Sequence, residues 1–351
     1  MPSLTNDNLT VFNRPDRVVE GWYWAMPSSQ LGRSQAQPLS LMGKELVLYR
    51  TDDGVAVALD AHCKHRGAHL ALGKVEGTCI KCPYHRWKYD DKGCLVDVPV
   101  MDEAPAGIRL GHWPVEEKYG LIWVYTAKTA RHPVITVPEL EGVEADWSVG
   151  SQYKQNCHPN IVMSDAIDVQ HFESVHHIGY LLDMEYEVVD ANRMVFKNTR
   201  HAPKDSRIGR FLRMFYKGPV TYSLNYWNGA MGTVTLGPDF LHFHTLFANR
   251  LGPDGTSEGQ IVLITKARRG PIGWLFNRVS LFLGKIVVGY FGVGDTPNFN
   301  MINANFQNPV KADKQLIAFM QQVEKMKLSE WGWGKLPDSQ PPLELADKLA
   351  G

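Results

Sequence analysis

Two short segments, Cys63-Lys64-His65 and Cys82-Pro83-Tyr84-His85, lie 16 residues apart, and each pairs one thiol with one imidazole. Four such side chains act together only if they meet at one point, so the chain around them has to fold as two loops brought tip to tip. The set suits a [2Fe-2S] cluster with two thiolates on one iron and two imidazoles on the other. Neutral imidazoles leave such a cluster less negative than an all-Cys one and raise its potential by roughly several hundred millivolts. Zinc takes the same ligand types. Zinc fingers, however, group Cys with Cys and His with His, whereas each loop here carries one of each. The interleaving favours the iron-sulfur reading, which makes these loops an electron relay and requires a destination for the electron elsewhere.

The loops are followed by Arg66-Gly67-Ala68 and by Arg86-Trp87-Lys88-Tyr89-Asp90, with Gly93 closing the turn. Together with Gly21-Trp22-Tyr23-Trp24 and the segment from Gly43 to Arg50, they make residues 15–125 resemble the Rieske domain of the Rieske non-haem iron oxygenases. The resemblance implies Cys63, His65, Cys82 and His85 as the cluster ligands. Arg86 departs from it, because Gly is the most frequent family residue there, and the change is expected to alter the surface that meets a reductase or a neighbouring subunit.

A second constellation runs from Asn160 to His177, with the core Asp168, two residues, His171, four residues, His176. It looks like the mononuclear iron motif of the same family. Ferrous iron that activates O2 is typically held on one face by two His and one carboxylate. On a regular helix, residues five apart point about 140° away from each other. The helix is therefore expected to end, kink or bulge between His171 and His176. His177 is a decoy by spacing, and His158, His242 and His244 read as structural or pocket-lining. Asp168 is implied by the resemblance as a bridge that accepts a hydrogen bond from the iron His and contacts His85 of an adjacent subunit in a head-to-tail homotrimer. Ser164-Asp165 stands where the family frequently has Glu-Asn, and a carboxylate there accepts but does not donate at neutral pH.

The resemblance implies that the third ligand follows the catalytic sheet on a long helix. Asp295 lies about 120 residues after His171 and is the one charge between Val287 and Val310. An isolated carboxylate in apolar surroundings is costly without a cation. Asp313, flanked by Lys311 and Lys314, is the alternative and reads as a solvated helix face.

The chain of 351 residues carries 37 basic and 37 acidic side chains, and no long basic run argues for nucleic acid. Its length favours two domains, expected as 1–135 (Rieske domain) and 136–351 (catalytic domain). The fold class expected is α+β, an antiparallel β Rieske domain followed by a helix-grip catalytic domain. Hairpin turns are expected at Asp53-Gly54 and Asp254-Gly255. Strands are expected at Glu45–Tyr49, Val55–Leu59 and Leu121–Tyr125, and in a succession from Glu185 to Lys266. Tyr222, Tyr226, Trp227, Phe243 and Phe247 are candidate pocket-lining residues. The apolar stretch 271–293 is interrupted by Arg278 and Lys285 and reads as a buried or lid helix, with shallow membrane contact as the alternative. An amphipathic helix is expected over 313–327, and the Pro-rich tail after Leu336 is expected to pack on the surface. The polar N-terminus shows no secretory pattern, so the cytoplasm is the expected compartment. Cys79, Cys94 and Cys157 are expected as reduced thiols.

As an expectation, the resemblance yields a terminal oxygenase holding a [2Fe-2S] cluster and mononuclear Fe(II). Electrons would come from a ferredoxin and/or an NAD(P)H-dependent flavin reductase. O2 would monooxygenate a hydrophobic ring-containing substrate, with the style of residues 158–172 nearest the ketosteroid and sterol-modifying branch. Aromatic or arylamine oxygenation, or a Rieske electron carrier without oxygenase activity, are the alternatives.

Overall fold

In the computed structural model the described residues are 9–176, 184–201, 213–214, 216–238, 242–299, 301–302 and 306–333. His177 and the tail after Leu336 lie outside them. The first third is built of short antiparallel strands in three small sheets. Strands Lys44–Arg50 and Ala56–Asp60 pair across the expected turn, where Gly54 takes a φ of 99° that side-chain-bearing residues avoid. A four-stranded sheet of Lys74–Glu76, Cys79–Lys81, Lys88–Tyr89 and Leu95–Asp97 carries the second Cys/His loop. Its small core gathers Tyr49, Leu59, Leu70, Ile80 and Tyr89 with Cys63 and Cys82, so both thiols are packed from below by apolar groups.

Seven antiparallel strands make the large sheet. In spatial order they are Ala145–Gln155, Ser257–Lys266, Phe243–Leu251, Met231–Pro238, Pro219–Trp227, Arg193–His201 and Glu185–Val188. Six correspond to strands legible in the sequence. The first does not: Ala145–Gln155 was hidden by its weak alternation of half-buried and exposed residues. It runs beside the last strand and closes the order of the sheet with a long-range pairing. The segment before it is not an exposed linker, since Val134, Ile135 and Val137 are buried in a core shared by Trp22, Trp24 and Trp123 with Leu246, Val262 and Ile264 of the large sheet.

Four helices complete the described chain. Helix α1 (Pro159–Asp165) starts with Pro at its first turn, where the missing N–H is harmless. Helix α2 (Val169–Ser174) follows almost at once. Helix α3 (Gly270–Phe299) packs across strands Ser257–Lys266, Ala145–Gln155 and Phe243–Leu251. Helix α4 (Lys314–Val323) buries Leu316, Phe319, Met320 and Val323 against Phe12, Phe196 and Tyr226.

One expectation is narrowed and one is corrected. The apolar stretch 271–293 forms α3, but most of its large side chains face outward: Ile272 is 86% exposed and Phe282 62%. Only a narrow inner stripe, Asn277, Ser280, Leu281 and Gly284, is buried in that region. Hydropathy reports composition and is silent on which elements lie across a helix. Asp313 is not a solvated residue. It is 6% exposed and accepts hydrogen bonds from Gln170 Nε2 (2.8 Å) and Val310 N (2.8 Å), which ties the start of α4 to α2.

His158 has a structural role. Its Nδ1 accepts the backbone N–H of Asn160 at 3.2 Å and so caps α1. Burial holds its pKa down from 6.5 to about 3. A folded pKa below the unfolded one gives stability that is present above pH 6.5 and is lost as the pH falls toward 3. The urea midpoint followed by tryptophan fluorescence is therefore expected to fall between neutral pH and pH 5. That fall should be smaller in His158→Asn, whose side-chain oxygen still caps the helix without titrating.

Candidate functional site

At the tips of the two Rieske-type loops, Cys63 and Cys82 are buried while His65 is exposed and His85 half-buried, their ring centroids 4.4 Å apart. The loops are shaped by their own backbone. Gly67 N donates to Cys63 O, Cys63 N to Ala68 O, and Cys82 N to Trp87 O. Trp87 stacks on His65 at 4.5 Å and nearly parallel, which fixes that ring. The Cys82 thiol is pushed up, by burial first and by Cys63 beside it, while the N–H groups of Tyr84 and His85 pull the other way. The Tyr89 hydroxyl sits 3.3 Å from Cys63 Sγ. Hydrogen bonds to the sulfurs are one of the means by which a protein tunes a cluster's potential. Partial burial, then the neighbouring His65 and Arg66, hold the His85 imidazole below its ordinary pKa, which favours the neutral, ligating form. Two buried sulfurs under two more exposed imidazoles are a donor set that fits a [2Fe-2S] cluster. Cys79, Cys94 and Cys157 are free thiols, with Cys94 Sγ accepting from Arg109 at 3.3 Å.

Arg86 sits in the second loop with φ 63°. The left-handed region costs a side-chain-bearing residue about 1 kcal/mol, a physical reason for Gly to be the commoner choice. Replacing Arg86 by Gly is expected to raise stability by about 1 kcal/mol, read as a higher denaturation midpoint with unchanged cluster absorbance.

The second constellation is assembled by a helix that stops. Asp168 caps α2, its Oδ1 accepting from Gln170 N (2.8 Å) and His171 N (3.2 Å). The helix ends at Ser174, so His176 leaves the helical path and turns back toward His171. The expected break between the two His is thus a plain helix end. From the opposite side α3 brings Asp295, with Gly294 beside it. A Cβ at Gly294 would stand 3.1 Å from Val175 Cγ1 and 3.2 Å from His176 Cε1, so the glycine permits the close approach.

His171 Nε2 lies 3.1 Å from His176 Nε2 and 3.0 Å from Asp295 Oδ1, and His176 Nε2 lies 2.8 Å from the same oxygen. Three donors about 2.1 Å from one ion stand about 3.0 Å apart when they occupy one face of an octahedron, and about 3.4 Å apart in a tetrahedron. The observed spacing matches the facial arrangement. Burial pushes the His171 pKa down, but Asp295 and Asp165 outweigh it, and the net shift is upward.

Within one chain Asp168 acts as the cap of α2. Its described hydrogen bonds go to the backbone, and the carboxylate facing the other nitrogen of His171 is Asp165, whose Oδ2 is 4.0 Å from Nδ1. Asp165 is 7% exposed, and that oxygen has no hydrogen-bond partner among the described residues. Burial, reinforced by Asp295 and Asp168, raises its pKa to about 7, against the opposing pull of His171. The sequence marked Ser164-Asp165 as a departure without placing it beside the ring. The break between α1 and α2 over residues 166–168, invisible in the sequence, separates the two helices that carry Asp165 and His171.

The three ligand-type residues stand in the wall of a cavity of about 650 Å³. Tyr222, Phe243 and Phe247 line it as expected, whereas Tyr226 and Trp227 are plain core. Val162, Val234, Leu236 and Ile261 add apolar wall, and α3 contributes Val287, Val288 and Phe291. Besides the three ligand-type residues, polar groups are few: Tyr153, Gln155, Asp165, Thr245 and Thr296. His158, His242 and His244 are not in its lining. His244 Nδ1 instead pairs with Thr235 Oγ1 at 2.9 Å.

Comparison with known proteins agrees with this geometry. Residues 21–114 match the Rieske [2Fe-2S] domain. The chain is 31% identical over 174 residues to cholesterol 7-desaturase of Bombyx mori, covering 48% of this chain and 38% of that protein. It is 34% identical over 161 residues to aminopyrrolnitrin oxygenase of Pseudomonas fluorescens, covering 42% and 43%. The chain thus spans less than half the length of these curated relatives. Among solved structures, NdmA of Pseudomonas putida CBB5 with caffeine superposes with a TM-score of 0.61 at 17% identity, over 86% of this chain and 89% of that one. Cluster loops and domain match converge: the chain carries a Rieske [2Fe-2S] domain, and its overall fold is similar to that of NdmA.

Proposed function

We propose that this chain is a terminal oxygenase that uses reductase-supplied electrons and O2 to monooxygenate a lipophilic ring compound of sterol or steroid size. One observation carries the reading: a facial set of two imidazoles and a carboxylate stands in the wall of a large apolar cavity, in a chain that also has a Rieske domain. When bound, the [2Fe-2S] cluster supplies one-electron relay, and ferrous iron on His171, His176 and Asp295 supplies O2 activation. The chain's own residues position and enclose. The apolar walls hold a ring system by shape and exclude water, with Gln155, Thr245 and Thr296 as polar groups in the wall. A cavity of about 650 Å³ is in the range of ligand pockets that bury most of a drug-sized molecule. The kinship with a cholesterol 7-desaturase supports the sterol class. The aromatic walls Phe172, Phe243, Phe247 and Phe291 favour a smaller aromatic substrate as the second reading.

Electron delivery is proposed to cross between copies in a homotrimer, leaving one subunit at His85 and entering the next through Asp168. His85 is half-buried at a loop tip, and Asp168 commits one carboxylate oxygen to the α2 cap, with the second in no hydrogen bond among the described residues. A ferredoxin or a flavin reductase is the proposed donor, and the cytoplasm the proposed compartment.

Iron content separates an oxygenase from an electron carrier. Three irons per chain are expected in the purified protein, falling to two in Asp295→Ala with the visible cluster spectrum retained. Two irons in the parent protein would sink the reading. Substrate-dependent consumption of NADH and O2 with a surrogate reductase is expected for sterols or steroids, and its restriction to aromatics or arylamines would move the substrate class to the second reading.

A further inference from the structure

Helix α3 has two apolar faces with different partners. Its inner side closes the cavity through Gly284, Val287, Val288 and Phe291 and rests on the large sheet. Its outer side presents Ile272, Leu275, Val279, Phe282 and Ile286, each between 48% and 86% exposed. They recur at spacings of three, four, three and four, so they form one stripe along the helix. From Ile272 to Ile286 the stripe runs ~21 Å, and a contiguous exposed apolar stripe marks an interaction site. Trp274 and Tyr290, both 59% exposed, flank it near its two ends. Such rings favour the boundary between headgroups and acyl chains.

The charges that the helix itself carries along this stripe are basic. No Asp or Glu occurs from Gly270 to Gly294, and Asp295 turns inward to His171 and His176. Arg278 and Lys285 are exposed on the helix, and Lys266, Arg268 and Arg269 stand just before it. Among the described residues two of these five cations are in ion pairs, Arg269 with Glu144 at 3.5 Å and Arg278 with Asp146 at 2.5 Å. A basic rim around an apolar stripe complements anionic lipid. Two-fold docking of a second copy on the same stripe would set these cations against themselves.

We propose that the outer face of α3 seats the protein on an anionic bilayer surface. The helix is long and apolar enough to cross a membrane, but its inner stripe is held by three strands of the sheet, so it lies along the surface instead. The same helix then separates the cavity from the acyl region, and a lipophilic substrate can pass around it without entering water. That last step rests on the oxygenase reading; lipid binding does not.

The test uses the full-length holoprotein and vesicles of phosphatidylcholine with and without phosphatidylglycerol, read by co-sedimentation. Expected are binding to the anionic vesicles that weakens at high salt, at least a tenfold loss in Leu275→Glu/Phe282→Glu, and a smaller loss in Arg278→Gln/Lys285→Gln, which leaves the apolar stripe intact. Cluster absorbance and circular dichroism report on folding in every variant. Absence of binding to anionic vesicles, or equal binding to both vesicle types, overturns the proposal. So does an effect of Leu275→Glu/Phe282→Glu on oligomer size alone, which would assign the face to a second copy. None of these outcomes depends on turnover, so an inactive protein that binds lipid counts against the oxygenase reading and not against this one.

Discussion

The second site depends on one local event, the end of α2 at Ser174. Had the helix continued, His171 and His176 would diverge by about 140°, and no carboxylate from α3 could meet both. The stop lets His176 fold back until its Nε2 is 3.1 Å from that of His171. The Asp168 cap fixes where the helix begins, and Gly294 lets α3 come near enough for Asp295 to complete the group. The large sheet in turn sets the position of α3, so the site's geometry is inherited from long-range strand pairing.

The loops of the Rieske domain follow a similar logic at smaller scale. Burying Cys63 and Cys82 in the core with Ile80, Leu70 and Tyr89 anchors the loop bases, and the imidazoles are left more exposed. This division places sulfur in a low-dielectric environment and exposes the His side, where an electron can leave or enter. Trp87 against His65 and the strained Arg86 lie on that same exposed rim.

Asp165 shows how a single residue can change character through its surroundings. In sequence it is one of several acids near the histidines. In the fold it is a buried carboxylate 4.0 Å from the second nitrogen of His171, with its pKa raised to about 7 chiefly by burial. Its charge state and that of the His171 ring are therefore linked.

Much of this protein could be read from its residues. The Cys/His pairs, the Asp168-His171-His176 spacing and the isolated Asp295 pointed to the groups that the fold brings together, because metal-ligand chemistry restricts both residue type and spacing. Turn residues located the hairpins for the same kind of local reason. What the chain alone left open concerns long-range packing. The edge-pairing strand Ala145–Gln155 has little periodicity of its own and exists through its partner. Asp313 looked solvated because its neighbours are charged, yet it is buried by α2 across the chain. The apolar segment 271–293 read as a buried or lid helix, and only the tertiary structure decided that it walls the cavity on one side while most of its large side chains face outward. Local chemistry is written residue by residue, whereas burial is decided by which distant elements arrive on each face.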